Sequence, residues 1–231
     1  MWFGCQLAVS KISEHDTPML TVQKLECVRG DRQLFSGVGF SIEKGALRVR
    51  GSNGCGKTSL LRILCGLIDP TEGTISWRGE SIRTLGEAYY REMVYIGHRN
   101  ALKDDLTVLE NLRVSLQLAQ ANHSELELSD ALDHMGLSRC KNLPVKMLSQ
   151  GQRRRLTLSR LLLQRAALWI LDEPLVALDR SAVELVEAMI NEHVSRGGIV
   201  VLTTHQELKV SCVTQQELDL ENLPGGLWRE Q

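Results

Sequence analysis

An eight-residue segment, Gly51-Ser52-Asn53-Gly54-Cys55-Gly56-Lys57-Thr58, constrains the fold of this chain more strongly than any other part of the sequence. It matches G-x-x-x-x-G-K-[ST], the spacing of a phosphate-binding loop. Glycines permit backbone angles that side chains disfavour, so amide N–H groups can close around phosphate oxygens. The lysine brings a positive charge to the β- and γ-phosphates, and the threonine hydroxyl is a Mg²⁺ ligand. We therefore expect residues 51–58, with Ser59 beside them, to hold the phosphates of a nucleotide.

The sequence on either side of this loop supports the same interpretation. Residues 46–50 have the pattern of a strand, and the apolar residues 60, 63, 64 and 67 follow helical spacing up to Asp69-Pro70. The phosphates would then lie at a helix N-terminus, where free N–H groups favour anions. A glycine-rich turn followed by a chance Lys-Thr pair is the alternative, and this context disfavours it. Arg48 and Arg50 are unusual for a central strand, and the sequence does not explain them.

Length and charge narrow the classes of partner. The 231 residues predict one α/β domain with an inserted lobe. With 27 basic and 28 acidic side chains, the net charge of −1 gives no electrostatic reason to expect nucleic acid or an anionic membrane surface as a partner. No apolar run approaches 18 residues, so membrane association is expected only through another protein.

The six cysteines form no C-x-x-C or zinc pattern, and we expect reduced thiols. Cys55 is nevertheless a plausible target for oxidation.

Strands and helices alternate along most of the chain. We expect an N-terminal extension over residues 1–18 and one domain over residues 19–231, in which residues about 91–165 form a helical lobe. The expected fold class is α/β, with a mostly parallel sheet core, an antiparallel β edge and this inserted lobe. Predicted helices cover residues 108–120, 129–137, 149–165 and 181–195, and predicted strands cover residues 20–27, 34–42, 73–77, 168–171 and 199–202. The tail after residue 208 is weakly patterned, with a loop at residues 224–226.

Two acidic residues, Asp172 and Glu173, follow the apolar run at residues 168–171. Ligands of parallel sheets bind at the carboxyl ends of the strands, so these carboxylates are expected near the phosphate loop. Asp172 would share the Mg²⁺ shell with Thr58, and Glu173 would polarise an attacking water. An Asp-Glu pair alone is common, and its position after a buried strand makes it a candidate site.

The segment Leu148-Ser149-Gln150-Gly151-Gln152, which comes before that strand, resembles a family motif. Together with the phosphate loop and the acidic pair, it is similar to the ATPase subunits of ATP-binding cassette (ABC) transporters, over about residues 19–210. In that family Leu-Ser-Gly-Gly-Gln is the signature motif, which contacts the γ-phosphate of ATP held by the other protomer. The resemblance implies an ABC ATPase fold, ATP and Mg²⁺ as cofactors, and a homodimer in which Ser149 and Gly151 act across the interface, with Gln152 also among the nucleotide-binding residues. Gln150 departs from the usual glycine.

Other positions match the family or depart from it. Residues 177–179 resemble the D-loop of the dimer interface, and His205 resembles the switch histidine near the γ-phosphate. Arg29 falls where an aromatic residue usually stacks on adenine, and a guanidinium plane can also stack on a base. His98 falls where a glutamine usually links ATP to the membrane subunit. The resemblance thus implies catalytic roles for Glu173, His205 and His98, and base contact by Arg29.

Together with matching segments elsewhere, these departures narrow the resemblance to one branch of the family. That branch is the ATPase subunit of the bacterial cytochrome c maturation system, which is often labelled a haem exporter. The likeness rests on residues 27–37, 51–54, 96–98, 168–174 and 197–206. It implies integral-membrane permease subunits as partners, a peripheral location on the cytoplasmic face of the inner membrane, and work in delivering haem to a haem chaperone. An ABC ATPase for another substrate and a soluble nucleotide-dependent clamp or assembly ATPase remain as alternatives. Arg153-Arg154-Arg155 favours dimer or solvent contacts over nucleic acid.

Overall fold

A computed structural model describes residues 20–206, 208 and 215–222. The predicted extension at residues 1–18 and the loop at residues 224–226 lie outside the described residues. The strands are β1 Leu20–Arg29, β2 Arg32–Ile42, β3 Gly45–Arg50, β4 Glu72–Trp77, β5 Glu80–Ser81, β6 Met93–Ile96, β7 Leu168–Asp172, β8 Ile199–Thr203 and β9 Gln215–Asp219. The α-helices are α1 Lys57–Leu64, α2 Ile82–Leu85, α3 Glu87–Arg91, α4 Val108–Leu118, α5 Glu125–His134, α6 Gln150–Leu158, α7 Arg160–Leu163 and α8 Arg180–Ser195.

A parallel sheet forms the centre of the described structure, with the strand order β6-β7-β8-β3-β9. Every neighbouring pair in it is parallel. Strands β7 and β8 are buried along their whole length, as expected for parallel strands covered on both faces. The carboxyl ends of β3, β7 and β8 therefore meet at one edge of the sheet, and β3 leads directly into the phosphate loop.

A second sheet is antiparallel, with the order β2-β1-β4-β5. Its inward side chains share one apolar core with helix α1 and with residues of β3, β7 and β8. Helices α4 to α6 share another core with residues of β6, β7 and β8. The predicted combination of a parallel core, antiparallel strands and a helical region is confirmed.

Two strands of the parallel sheet were not predicted. Strand β6 pairs with β7, although residues 93–96 were expected to lie within the helical lobe. A run of four residues is too short for its periodicity to distinguish a strand from a helix. Strand β9 pairs with β3 and carries exposed or half-buried polar residues, which is why the tail looked weakly patterned.

Several helix boundaries differ from the prediction. Helix α1 ends at Leu64, because Gly66 adopts a left-handed φ of 66°, and Leu67 is 61% exposed instead of buried. Helix α5 begins earlier than predicted, because Ser124 caps it and accepts a hydrogen bond from the backbone N–H of Glu127. The predicted helix at residues 149–165 is divided into α6 and α7, which ends at residue 163.

The two arginines of β3 have partners on both sides of the strand. Arg48 donates from Nη2 to the carbonyl of Gln206 at 3.0 Å, and its Nη1 lies 3.6 Å from Glu217 Oε1. Arg50 donates from Nη1 to the other oxygen of Glu217 at 3.0 Å. Because Glu217 belongs to β9, these charges are paired at the junction with an edge strand and do not lie unpaired within the sheet.

Candidate active site

The phosphate loop connects β3 to α1 and depends on its glycines. Gly51 has a φ of 140° and Gly56 a φ of 108°. A Cβ at Gly51 would lie 2.5 Å from Cys55 Sγ, and one at Gly56 would lie 2.9 Å from a ring carbon of Phe35. No side chain caps the N-terminus of α1, so its first N–H groups remain available to an anion.

The charged and hydroxyl groups of the loop have internal partners. Lys57 Nζ donates to the carbonyls of Gly51 at 2.7 Å and Ser52 at 3.0 Å. The backbone N–H of Ser52 donates to Glu221 Oε2 at 3.1 Å, and its hydroxyl donates to Glu221 Oε1. Glu221 follows β9, and nothing in the sequence predicted this contact. Cys55 is a buried member of the loop, and burial raises the pKa of its thiol, which disfavours the thiolate form that reacts with oxidants.

Asp172 joins the loop to the acidic end of the sheet. It ends β7 and is 2% exposed. Its Oδ2 accepts a hydrogen bond from the Thr58 hydroxyl, and its Oδ1 accepts one from the Thr203 hydroxyl, both at 2.8 Å. Thr203 ends β8 in register with Asp172. Thr203 was not predicted as a site residue, although its place at the end of a neighbouring buried strand was a usable signal.

Glu173 has a strained backbone and a carboxylate that is largely buried. Its φ is 50°, a region that side chains disfavour, and its N–H donates to Thr203 Oγ1 at 2.9 Å. The side chain is 15% exposed, and its Oε1 is buried without a hydrogen-bond partner. His205 Nε2 lies 3.4 Å from this Oε1, close enough for attraction when the imidazole is protonated. This oxygen is therefore available to accept a hydrogen bond from a water molecule.

These groups surround a cleft of about 500 Å³. It is lined by part of the phosphate loop, both acidic residues and the two histidines that were predicted as site residues. Its lining residues are Leu34, Asn53, Gly54, Gly56, Lys57, Thr58, Ser59, His98, Asp172, Glu173, Val176 and His205.

Seven predicted site residues lie outside this lining: Gly51, Ser52 and Cys55 of the phosphate loop itself, and four residues elsewhere. Arg29 is exposed at the end of β1, and its contact with a base stays a prediction. The other three belong to the start of α6. Ser149 Oγ accepts a hydrogen bond from the N–H of Gln152 at 3.2 Å, and Gln152 Oε1 accepts one from the N–H of Ser149 at 2.9 Å. Gly151 packs closely on the next loop, since a Cβ there would lie 2.7 Å from the carbonyl oxygen of Ala177.

Residues 177–179 are held to α6 by charge as well. Asp179 caps α8 by accepting a hydrogen bond from the N–H of Ala182 at 2.8 Å, and Arg155 forms an ion pair with its carboxylate. The segments that resemble the signature and the D-loop therefore contact each other. Arg153 pairs with Asp104, whereas Arg154 is 4% exposed. The expectation that Arg154 makes dimer or solvent contacts is wrong, because its guanidinium is buried within the chain.

The oxygen donors of Thr58 and Asp172 suit Mg²⁺, which prefers hydroxyl and carboxylate ligands together with substrate phosphates. In the described part of the chain, no group of three or more His, Cys, Asp or Glu residues could hold a metal ion by itself. Among the described residues, no helix is both long and apolar enough to cross a membrane.

Comparison with known proteins agrees with this geometry. Residues 35–176 match the family described as "ABC transporter". The chain is 54% identical to the "Cytochrome c biogenesis ATP-binding export protein CcmA" of Nitrosospira multiformis over 204 residues, covering 88% of this chain and 99% of that protein. The protein of the same name from Nitrosomonas europaea is 52% identical over 203 residues, covering 87% and 95%. The solved structure of a putative ABC transporter ATP-binding protein from Pyrococcus furiosus matches with a TM-score of 0.75 and 26% identity, covering 88% and 98%.

Proposed function

This chain belongs to the ABC transporter family, among its cytochrome c biogenesis ATP-binding export proteins, and we propose that it hydrolyses ATP for the export complex of that pathway. The observation that carries the proposal is the shared cleft of the phosphate loop, Asp172, Glu173 and His205. Identity of 54% across nearly the whole of a named relative supports the choice of pathway.

In the proposed reaction, the loop amides and Lys57 hold the phosphates of ATP. Water attacks the γ-phosphorus, its proton passes to the Glu173 carboxylate, and the bond to the β-phosphate oxygen breaks to leave ADP and phosphate. When bound, Mg²⁺ would neutralise phosphate charge, and Thr58 and Asp172 are the residues that would hold it. His205 lies close to Glu173 and would respond to the γ-phosphate.

We propose a homodimer with two composite sites. Ser149 is exposed and lies outside the cleft of its own chain. Its hydroxyl accepts from Gln152 and still has a proton to donate. A second copy would bring this hydroxyl and the Gly151 N–H to the γ-phosphate of its neighbour. Dimer closure on ATP and opening after hydrolysis would then supply movement to a partner.

The proposed partners are integral-membrane permease subunits of the cytochrome c maturation system, and the chain would reach the membrane only through them. It would then lie peripherally at the cytoplasmic face of the bacterial inner membrane. The relatives are named export proteins of cytochrome c biogenesis, and haem destined for a haem chaperone is the proposed cargo. The near-neutral charge of the chain favours this arrangement over a clamp on nucleic acid.

A cellular experiment tests the proposed function. In a bacterium that lacks its own CcmA, the chain produced with its permease subunits should restore c-type cytochromes, detected by haem peroxidase staining. Lys57→Ala at equal abundance should restore none, because it loses the charge that holds the phosphates. If the wild-type chain hydrolyses ATP but restores no cytochrome, the chain is an ABC ATPase for another substrate.

The composite sites predict complementation between inactive variants. Ser149→Arg and Lys57→Ala should each be inactive alone, whereas mixed dimers contain one site that is intact in both halves. A mixture of equal amounts should recover at most roughly a quarter of wild-type hydrolysis, since half of the dimers are mixed and each has one intact site of two. Zero recovery at every ratio, with mixed dimers detected by cross-linking, would contradict the shared site.

His98 lines the cleft on the loop between β6 and the helical region, so we expect it to link hydrolysis to the permease. His98→Ala should bind ATP within about threefold of wild type, while permease-stimulated hydrolysis falls by at least roughly tenfold. His134→Ala, an exposed histidine at the end of α5, is the matched control and should keep full stimulation. Full stimulation of the His98 variant at an unchanged melting temperature would remove this role.

A further inference from the structure

Arg154 is a buried charge in helix α6 that the proposed chemistry does not use. Only 4% of the residue is exposed, and burial lowers the pKa of its guanidinium while the nearby Asp172 and Glu173 raise it. No ion pair of Arg154 is present among the described residues. Its partners are instead backbone carbonyls and one side-chain amide, so the guanidinium serves as a set of fixed hydrogen-bond donors.

One side of the guanidinium holds the backbone at the end of β7. Nη2 donates to the carbonyl of Asp172 at 2.9 Å and to that of Glu173 at 2.8 Å. Nε donates to the carbonyl of Pro174 at 3.1 Å. Three consecutive carbonyls are therefore fixed by a single planar group.

The opposite side reaches the loop that carries His98. Nη1 donates to the carbonyl of Gly97 at 2.9 Å and to Asn100 Oδ1 at 3.3 Å. Arg154 thus joins three segments that are distant in sequence: the helix after the signature, the acidic pair and the His98 loop. Lysine has the same charge but one nitrogen, which cannot reproduce this fork of donors.

The contact with Glu173 has a specific consequence. A φ of 50° is disfavoured for a residue with a side chain, so the surrounding structure has to maintain it. Thr203 Oγ1 holds the N–H of Glu173 on one side, and Arg154 holds its carbonyl on the other. These two bonds fix the peptide planes that flank the Cα, and with them the direction in which the carboxylate leaves the backbone.

We propose that Arg154 is a positioning residue for hydrolysis, which keeps the Glu173 carboxylate at the place where it takes the proton from water. The inference rests on the proposed function, in which Glu173 is the base. Arg154 does not line the cleft, so it acts through Glu173 and not on the nucleotide. Its second set of bonds makes this position sensitive to movement of the His98 loop.

The test is a double-mutant cycle on the purified full chain, with single-turnover hydrolysis of bound ATP as the readout. Arg154→Lys should lower the rate roughly 10- to 100-fold, as expected when a reacting group is misplaced by about 1 Å. Its Kd for ATP should stay within about threefold of wild type. In the Glu173→Gln background, Arg154→Lys should cause no further loss, because there is no base left to position. Arg153→Lys, on the same helix, is the control and should keep the wild-type rate.

The outcomes of the cycle distinguish the positioning role of Arg154 from the proposed role of Glu173 as the base. Losses that multiply in the double variant would overturn the positioning role while leaving Glu173 as the base. A wild-type rate in Glu173→Gln alone would instead overturn the proposed function. If the Kd for ATP instead rises by the same factor as the rate falls, Arg154 supports the nucleotide site and not Glu173.

A second variant covers the case in which Arg154→Lys does not fold. Asn100→Ala removes one acceptor at the half-buried end of the fork and keeps the buried guanidinium. It should lower the rate about two- to fivefold, with the loss again absent in the Glu173→Gln background. An unchanged rate in a folded Asn100→Ala protein would count against the positioning role.

Discussion

A single buried carboxylate links the parts of this site. Asp172 accepts one hydrogen bond from the hydroxyl of Thr58 on α1 and another from the hydroxyl of Thr203 on β8. The three residues belong to elements far apart in the sequence, and each hydroxyl would lose its buried partner if the carboxylate moved. The relative positions of the phosphate loop, β7 and β8 therefore depend on this acid. Its oxygens are also the ones that would face Mg²⁺ in the proposed reaction.

The residue after Asp172 is held by the same network of hydrogen bonds. Glu173 adopts a left-handed backbone conformation. Its N–H donates a hydrogen bond to Thr203, and its carbonyl accepts one from Arg154. Through Arg154, this segment is connected to helix α6, whose first turn is the segment expected to serve a second protomer. In that arrangement, dimer contact, the His98 loop and the proposed base share one set of hydrogen bonds, which gives a physical route by which a partner could affect hydrolysis.

The sequence was most informative where spacing alone determines geometry. The phosphate loop and the strands β7 and β8 could be predicted because their signals are local: glycine spacing and continuous apolar runs. The contacts of Ser52 with Glu221 and of Arg154 with Gly97 could not be predicted, because they join residues 169 and 57 positions apart. Strand β9 escaped detection for a related reason, since its pairing with β3 compensates for a polar sequence. An arginine run indicated charge at the surface, and only tertiary packing shows that its middle member is buried.

The role of Asp172 is tested most directly with Mn²⁺, which replaces Mg²⁺ and is visible by electron paramagnetic resonance. With a non-hydrolysable ATP analogue, the wild-type chain should bind one Mn²⁺ per nucleotide. Asp172→Asn preserves the shape of the side chain but removes its charge, and should weaken Mn²⁺ binding by at least about tenfold. Equal Mn²⁺ affinity in a variant that still binds the nucleotide would contradict the place of this carboxylate at the centre of the site.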